Sequence, residues 1–246
     1  MIQYKHLARC YDLICGDSFH RRFLKHAESL LKRYGCRPGI VWELGCGTGT
    51  LTRQCAKKGY EMISTDISPE MLAIAEEKCR GLDPRPVFIC QDMEHPDLYG
   101  TVNTVFSSLD TINYITEPSS LLKVFKGISL FLEPGGLFIF DIKTIAGFRD
   151  LAGKSFCYEN DEFFCTWRYG YDPNGRDCRH DIDIFIPSGK QWERLSEVHL
   201  QHAYYLREII EMLKSSGFEI LRIDDGFSNI PAGRNTKRAV FCARKK

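Results

Sequence analysis

The stretch Glu43-Leu44-Gly45-Cys46-Gly47-Thr48-Gly49 decides the fold of this 246-residue chain. Its three glycines stand at alternate positions, so the backbone there is free of side chains and can adopt positive φ angles, which lets a ligand lie against the main chain. The apolar run 40–42 before it indicates a buried strand, and residues 50–58 after it indicate a helix closed by Gly59. A strand, a glycine turn and a helix start form the ligand-binding corner of a doubly wound α/β sheet.

The spacing of the glycines separates two kinds of nucleotide site. The dinucleotide fingerprint requires G-x-G-x-x-G, whereas the third glycine here comes one residue early, at Gly49, and Thr50 stands where that pattern needs glycine. NAD binding is therefore disfavoured. A tight turn without any ligand is the remaining structural alternative, and the strand and helix on either side argue against it.

An acidic residue followed by G-x-G-x-G after the first strand resembles the signature of the class I S-adenosylmethionine (SAM)-dependent methyltransferases. The resemblance implies SAM as cofactor, with S-adenosylhomocysteine (SAH) as its product. It also implies a Rossmann-like, seven-stranded, doubly wound sheet whose last strand is antiparallel. The residues of the turn that we predict to contact the cofactor are Glu43, Gly45, Cys46, Gly47 and Gly49.

Composition narrows the class of substrate and the location of the protein. The formal net charge is +1 and the isoelectric point is near 7.5, so no strong field favours nucleic acid or an anionic membrane. No apolar run approaches the roughly 20 residues that span a bilayer, and the N-terminus has no signal-peptide core. We therefore expect a cytoplasmic protein with a small-molecule substrate, as a monomer or homodimer.

The eleven cysteines form an odd count, and no two stand in a C-x-x-C arrangement. Their scatter is typical of small buried side chains in a reducing compartment rather than of a disulfide or zinc framework. We therefore predict no metal site. An open alternative is that Cys157, Cys165 and Cys178 bind a metalloid that is itself methylated.

A carboxylate follows the second predicted strand. Residues 61–65 indicate a strand that ends at Asp66, and Ser68 with Pro69 starts the next helix, which leaves Asp66 facing the ligand crevice. A carboxylate about 20 residues beyond the glycines can accept hydrogen bonds from both ribose hydroxyls, although a strand-end aspartate is more often only a cap. Ile67 and Met71 are then expected near the adenine.

The third strand, 87–90, ends just before Asp92 and Met93. The family resemblance implies that Asp92 accepts a hydrogen bond from the adenine amine and that Met93 packs on the ring. The segment from Tyr4 to Tyr11 resembles the Tyr…Ala…Tyr-Asp segment that folds over the cofactor in many small-molecule methyltransferases. Half-buried packing is the alternative for both tyrosines.

Strand four, 102–108, runs toward the switch point of the sheet, where the donor and acceptor groups should meet. We predict that Ser108 and Leu109 contact the cofactor. The polar side chains just beyond the strand are predicted to face the substrate, and a capping turn before the helix 118–131 is the alternative for the first of them. They are Asp110, Asn113 and Tyr114. The Leu-x-Pro-Gly-Gly turn before strand five, at 132–136, also matches the family.

Residues 153–202 do not continue the alternation of strands and helices. The segments 163–171 and 179–186 are rich in aromatic and β-branched residues and flank a hairpin turn at 172–175. We interpret them as an antiparallel β lid inserted after strand five. In its last strand Glu197 shares a face with His199, and a carboxylate neighbour raises imidazole basicity, so His199 is a candidate base, although a lone histidine is more often structural.

These observations predict one methyltransferase domain over residues 1–246, with an N-terminal helical cap at 1–37 and the β lid at 153–202. The predicted reaction is direct displacement onto a nitrogen, oxygen or sulfur nucleophile. A non-catalytic SAM- or SAH-binding regulatory module and a metalloid methyltransferase are the alternatives. The predicted catalytic residues are His199, Tyr11 and Asn113, and the predicted substrate contacts also include His199 and His202.

Overall fold

The computed structural model describes residues 7–246, without the side chain of Arg9. The prediction for Tyr4 lies outside the described residues. The first half begins with two helices and then alternates strands and helices up to the fifth strand. Its elements are α1 (Ala8–Cys15), α2 (Ser18–Arg33), β1 (Ile40–Leu44), α3 (Thr50–Ala56), β2 (Glu61–Asp66), α4 (Pro69–Lys78), β3 (Val87–Cys90), β4 (Val102–Ser107), a 3₁₀ helix (Thr111–Tyr114), α5 (Pro118–Phe131) and β5 (Leu132–Lys143).

The second half contains an inserted group of strands and then returns to the main sheet. Its elements are α6 (Ile145–Leu151), β6 (Ser155–Glu159), β7 (Phe164–Asp172), β8 (Asp177–Ser188), β9 (Gln191–His202), α7 (Leu206–Ser215), β10 (Phe218–Asp225) and β11 (Arg238–Lys245). Among residues 7–246, no helix has the length and apolar character needed to cross a lipid bilayer.

The main sheet has seven strands in the order β10-β11-β5-β4-β1-β2-β3. Strands β1 to β5 pair in parallel, and only β11 runs the other way, antiparallel to β5 and β10. The predicted fold class, including the antiparallel last strand, is confirmed. The chain leaves β1 toward β2 and later returns to β4 on the other side, so the switch point lies where β1 and β4 end.

Both faces of the main sheet are covered by helices. They have to be, because apolar side chains alternate between the two faces along each strand. Trp42 and Phe140 belong to the apolar cluster on one face, which α5 and α7 complete. Val41 and Ile139, their neighbours in sequence, belong to the cluster on the other face, which α2 and α3 complete. This packing fixes the carboxyl ends of β1 to β5 in one rigid edge.

The inserted strands form a second, antiparallel sheet in the order β6-β7-β8-β9, which we call the lid sheet. Its apolar face packs on Leu7 and on Cys10 of α1. Neither β6 nor α6 was predicted from the sequence. Strand β6 has four exposed residues out of five, so it lacks the apolar alternation that identifies a strand.

The close approach at Gly49 gives a test of this packing. Gly49 has φ +72°, and a Cβ there would lie 2.7 Å from Cβ of Ala75 in α4, whereas a Cβ at Gly47, with φ +53°, would meet no atom within 4 Å. We expect Gly49→Ala to lower the unfolding free energy about 1–3 kcal/mol more than Gly47→Ala does, because only the former overpacks a helix contact. Urea unfolding without cofactor measures both, and equal losses would contradict the packing.

Candidate active site

A cavity of about 450 Å³ lies at the carboxyl ends of β1 to β4, under α1. Most of the residues predicted to contact the cofactor line it. They are Tyr11, Gly45, Cys46, Gly47, Asp66, Ile67, Met71, Asp92, Met93, Ser108 and Leu109. Tyr114, one of the predicted substrate contacts, also lines the cavity.

The glycine turn is fixed to the strand beside it. The N–H groups of Gly45 and Cys46 donate to the carbonyl oxygen of Thr65, at 2.8 and 2.9 Å. Gly45, Gly47 and Gly49 all have positive φ angles, between 53° and 72°. The turn therefore presents bare backbone to the cavity, as the sequence indicated.

Asp66 lies at the end of β2 with its carboxylate beside the turn. Its Oδ2 accepts a hydrogen bond from Gly47 N at 2.8 Å, and its Oδ1 accepts one from Ser68 N at 2.9 Å. Burial raises the pKa of this carboxyl, while these N–H groups lower it. Each carboxylate oxygen can accept a second hydrogen bond, so the group can still take two neighbouring hydroxyls from the cavity side.

The end of the cavity near β3 carries a residue that sequence reasoning missed. The amide nitrogen Nε2 of Gln91 is buried in the cavity wall without a partner among residues 7–246, while its Oε1 accepts from Asp97 N at 3.1 Å. Asp92 and Met93 follow in the same wall. The unpaired donor Nε2 of Gln91, beside Asp92 and Met93, suits a heteroaromatic base. No motif in the sequence indicated Gln91.

The opposite end of the cavity is closed by a polar link between α1 and the glycine turn. The Asp12 carboxylate accepts hydrogen bonds from the hydroxyls of Thr48, at 2.5 Å, and Thr50, at 3.2 Å, and its other oxygen lies 2.6 Å from Nζ of Lys78. This link holds Tyr11, the neighbour of Asp12, over the cavity.

His20 also lines this end and was not predicted, because a single histidine in an amphipathic helix gives no distinctive pattern. Burial, together with the nearby Lys78, lowers its pKa to about 4, so the ring is neutral near pH 7. Its Nδ1 has no partner in the described part of the chain.

Asp110, which the sequence predicts to face the substrate, does not line the cavity. Its carboxylate pairs with Arg238 at 2.6 Å and Lys143 at 3.3 Å, and it accepts from Gln201 Nε2 at 2.9 Å. Burial opposes ionisation, but the two cations hold the pKa of Asp110 well below its usual value. Asp110 thus joins the core sheet to the lid sheet.

The backbone at Leu109 and Asp110 has positive φ angles of 61° and 53°, which are unusual for these residue types. The Asp141 carboxylate stabilises this turn, because it accepts hydrogen bonds from both N–H groups, at 2.7 and 3.1 Å. Asp141 also pairs with Arg238. The turn places Leu109 in the cavity wall. Neither the positive φ angles nor the hydrogen bonds to Asp141 were predicted from the sequence.

Asn113 and His202 also lie away from the cavity. The amide nitrogen of Asn113 donates to the carbonyl oxygens of Lys143 and His202, at 3.0 and 2.8 Å, and its oxygen accepts from Lys143 N at 2.9 Å. His202 Nδ1 lies 2.9 Å from Asp177. Since its amide is engaged with the backbone, the structure gives Asn113 a structural position rather than a catalytic one.

Glu43 and Gly49 support the turn from behind and do not line the cavity. The Glu43 side chain is 1% exposed and accepts a hydrogen bond from the Thr52 hydroxyl. Burial raises the pKa of Glu43 to about 8. Glu43 and Gly49 therefore shape the turn from behind, whereas the sequence predicted that they contact the cofactor.

His199 is fully buried and is linked to the cavity by Tyr114. The Tyr114 hydroxyl lies 3.2 Å from His199 Nδ1, and His199 Nε2 lies 2.8 Å from Oε2 of Glu197. The other oxygen of Glu197 accepts from the backbone N of Leu7 at 3.1 Å. The predicted pair of Glu197 and His199 thus forms a buried chain that ends at the cavity.

The cysteines of the lid do not form a joint site. Cys165 pairs across the strands with Ile184, which lies six residues from Cys178 along β8, a separation of roughly 20 Å. Cys157 is exposed on β6. Within residues 7–246, no group of three or more His, Cys, Asp or Glu side chains is arranged to hold a metal ion. The geometry therefore gives the metalloid alternative no support.

Three features together define an enzyme class that binds an adenosine cofactor at the switch point of the sheet. They are the doubly wound sheet with one reversed strand, the bare glycine turn and the carboxylate at a strand end. Residues 41–136 match the family described as a methyltransferase domain. A solved SAM-dependent methyltransferase from Clostridium acetobutylicum ATCC 824 is 30% identical, covers 98% of both chains and superposes with a TM-score of 0.86.

Two further relatives extend the comparison. The Bacillus subtilis (strain 168) protein YqeM, named as a methyltransferase, is 27% identical over 98% of this chain and 97% of its own. The SAM-bound amino pentose methyltransferase CalS10 from Micromonospora echinaspora is 19% identical and shares the fold, with a TM-score of 0.74 over 100% of this chain and 99% of its own. The chain belongs to the class I SAM-dependent methyltransferases, and its cofactor is SAM.

Asp66 provides a direct test of cofactor binding. We expect Asp66→Ala to weaken SAM binding at least tenfold, since it removes the strand-end carboxylate that can accept two ribose hydroxyls (roughly 1.5–3 kcal/mol for each charged hydrogen bond). Titration calorimetry measures the affinity, and Asp161→Ala, at an exposed position in the turn between β6 and β7, is the control. An unchanged affinity would show that the ribose is held elsewhere.

The raised pKa of Glu43 predicts a pH dependence of stability. An acid whose pKa is higher in the folded state contributes stability below its unfolded pKa and loses it as pH rises through the folded value, here about 8. Relative to Glu43→Gln, the wild type should therefore lose unfolding free energy between pH 5 and pH 9. Urea unfolding across this range measures the difference. The exposed Glu219→Gln is the control, and a flat difference for Glu43→Gln would refute the assignment.

Proposed function

We propose that the enzyme transfers the methyl group of SAM to a nitrogen, oxygen or sulfur nucleophile of a small molecule by direct displacement. The observation that carries the proposal is that the cavity ends at Tyr114, which leads into the buried pair of His199 and Glu197. When bound, SAM supplies an electrophilic methyl group on its sulfonium. The chain supplies orientation and a route for the acceptor proton.

We assign a part of the cofactor to each strand end that lines the cavity. Asp66 would hold the ribose hydroxyls, and Asp92 and Met93 would contact the adenine. The glycine turn would hold the methionine portion, which places the reacting end beside Tyr11 and Tyr114. This order follows the strands from β3 to β1 and toward β4, as expected for a doubly wound sheet.

The buried chain can accept a proton without exposing His199. With Glu197 ionised, His199 keeps its proton on Nε2, so that Nδ1 accepts from the Tyr114 hydroxyl. A proton from the acceptor would then move to Tyr114 O as the Tyr114 proton moves to His199 Nδ1, and Glu197 would stabilise the imidazolium. Burial, with Cys15 and Tyr114 nearby, raises the pKa of Tyr11, which therefore stays protonated and serves as a hydrogen-bond donor.

The small-molecule acceptor is supported by two observations. The near-neutral chain has no strong positive field for nucleic acid. Two solved proteins that share the fold over almost the whole length are the amino pentose methyltransferase CalS10 and the sugar N-methyltransferase KedS8. The names of both proteins describe a small-molecule acceptor.

A metabolite extract supplied with methyl-labelled SAM tests the proposal. We expect the label to enter one or more small products, with SAH formed in equal amount. Tight SAM binding without turnover on small molecules, peptides or tRNA would instead favour a regulatory module that only binds SAM or SAH.

The proton route can be tested once a product is identified. Tyr114→Phe and His199→Ala should each lower kcat about 10²–10⁴-fold, because both interrupt the proton route, while SAM affinity measured by calorimetry stays within a factor of about three. His95→Ala, at an exposed histidine, is the control. Full turnover in His199→Ala would place the base elsewhere or show that none is needed.

A further inference from the structure

A group of side chains on the buried face of the lid sheet has unused hydrogen-bonding atoms. Tyr169, His180 and His199 form one row across β7, β8 and β9, because residues directly opposite in antiparallel strands share a face. Trp167 lies two residues along β7 from Tyr169, and Gln201 two residues along β9 from His199, so both share that face. We call Trp167, His180 and Gln201 the lid cluster.

Four atoms of the lid cluster are buried without a hydrogen-bond partner in the part of the chain that the structure describes. They are both ring nitrogens of His180, Nε1 of Trp167 and Oε1 of Gln201. Buried polar groups in folded proteins are nearly always paired, and an unpaired one destabilises the fold. Four such atoms on one face therefore indicate a bound molecule that supplies their partners.

The charges at the Asp110 end of the lid cluster are already balanced. Asp110 and Asp141 are matched by Lys143 and Arg238, through ion pairs between Asp110 and both cations and between Asp141 and Arg238. Burial, together with Lys143, lowers the pKa of His180 to about 3, so this ring is neutral. At the other end of the same face, the Glu197 carboxylate is engaged by Leu7 N and His199 Nε2, so these charged groups already have partners within the protein.

The unused atoms define what kind of group would fit. Trp167 offers a donor, Gln201 Oε1 an acceptor, and the neutral ring of His180 one of each. A carboxylate or phosphate would leave the acceptors unpaired, and an ammonium group would leave the donors unpaired. A hydroxyl both donates and accepts, so neighbouring hydroxyls match all four atoms. The nearly parallel rings of Trp167 and Tyr169, 12° apart in plane, offer an apolar surface to the carbon skeleton.

The lid cluster adjoins the reacting end of the cofactor cavity. Gln201 Nε2 donates to Asp110, whose neighbour Leu109 lines the cavity. The ring of His199, beside His180 in the row, contacts Tyr114 in the cavity wall. A molecule held by the lid cluster would therefore lie next to the predicted methyl-transfer point.

We propose that the lid cluster binds the methyl acceptor and that this acceptor is an uncharged molecule with neighbouring hydroxyl groups. The inference rests on the proposed function, because it names the substrate class of the same site. Since the four atoms are buried, the acceptor reaches them only when the lid sheet or its aromatic side chains move away from the core.

Thermal unfolding without acceptor gives the first test. His180→Phe and Trp167→Phe should leave the Tm unchanged or raise it, because each removes unpaired polar atoms while keeping a buried ring. His26→Phe is the matched control, since His26 is buried but paired with Asp224 at 3.0 Å, and its Tm should fall. A fall for His180→Phe and Trp167→Phe as large as that of His26→Phe would overturn the proposal.

A fractionated metabolite extract gives the second test. The labelled product should arise from the uncharged, water-soluble fraction. This is the fraction that neither a cation nor an anion exchanger retains and that remains in the aqueous phase. On that product, His180→Phe and Trp167→Phe should each raise the acceptor KM roughly tenfold, while SAM affinity by calorimetry is unchanged. Label confined to charged or apolar fractions, or an unchanged KM, would overturn the proposal. If no fraction is labelled the proposed function fails, and the Tm comparison still decides whether the lid cluster is reserved for a ligand.

Discussion

The Asp141 carboxylate is the group on which the site depends. It stabilises the left-handed turn at Leu109 and Asp110 and pairs with Arg238 of β11, while Asp110 pairs with the same arginine and with Gln201 of the lid sheet. A buried charge without its partner is costly, so these groups have to assemble together. One linked set of ions therefore sets the cavity wall, the sheet edge and the position of the lid sheet at once.

Much of the fold could be predicted from the sequence because its signals are local. The glycine turn, the helix start at Ser68 and Pro69, and the proline-glycine turn before β5 each specify backbone shape within a few residues. Ser68 does accept the hydrogen bond from Met71 N expected of a helix cap. Asp66 was placed at the cavity by the same reasoning, since a strand end fixes where a side chain points.

The parts that escaped prediction depend on contacts between distant residues. Nothing near Asp110 indicates that Arg238, 128 positions away, will occupy its carboxylate. The same holds for Asn113, whose amide is engaged by backbone groups of Lys143 and His202. His20 and Gln91 line the cavity through tertiary packing alone. A polar residue after a strand thus marks a region of function, while its partners decide whether it faces a ligand or the core.

The insertion of β11 between β5 and β10 has a consequence for biosynthesis. The arginine that neutralises both carboxylates lies on this strand, which the ribosome makes after every other element of the sheet. Without β11, the Asp110 and Asp141 carboxylates would lack the guanidinium that they share, and the edge of β5 would be unpaired on that side. Competence for the cofactor would therefore be acquired in one late step rather than gradually as the chain emerges.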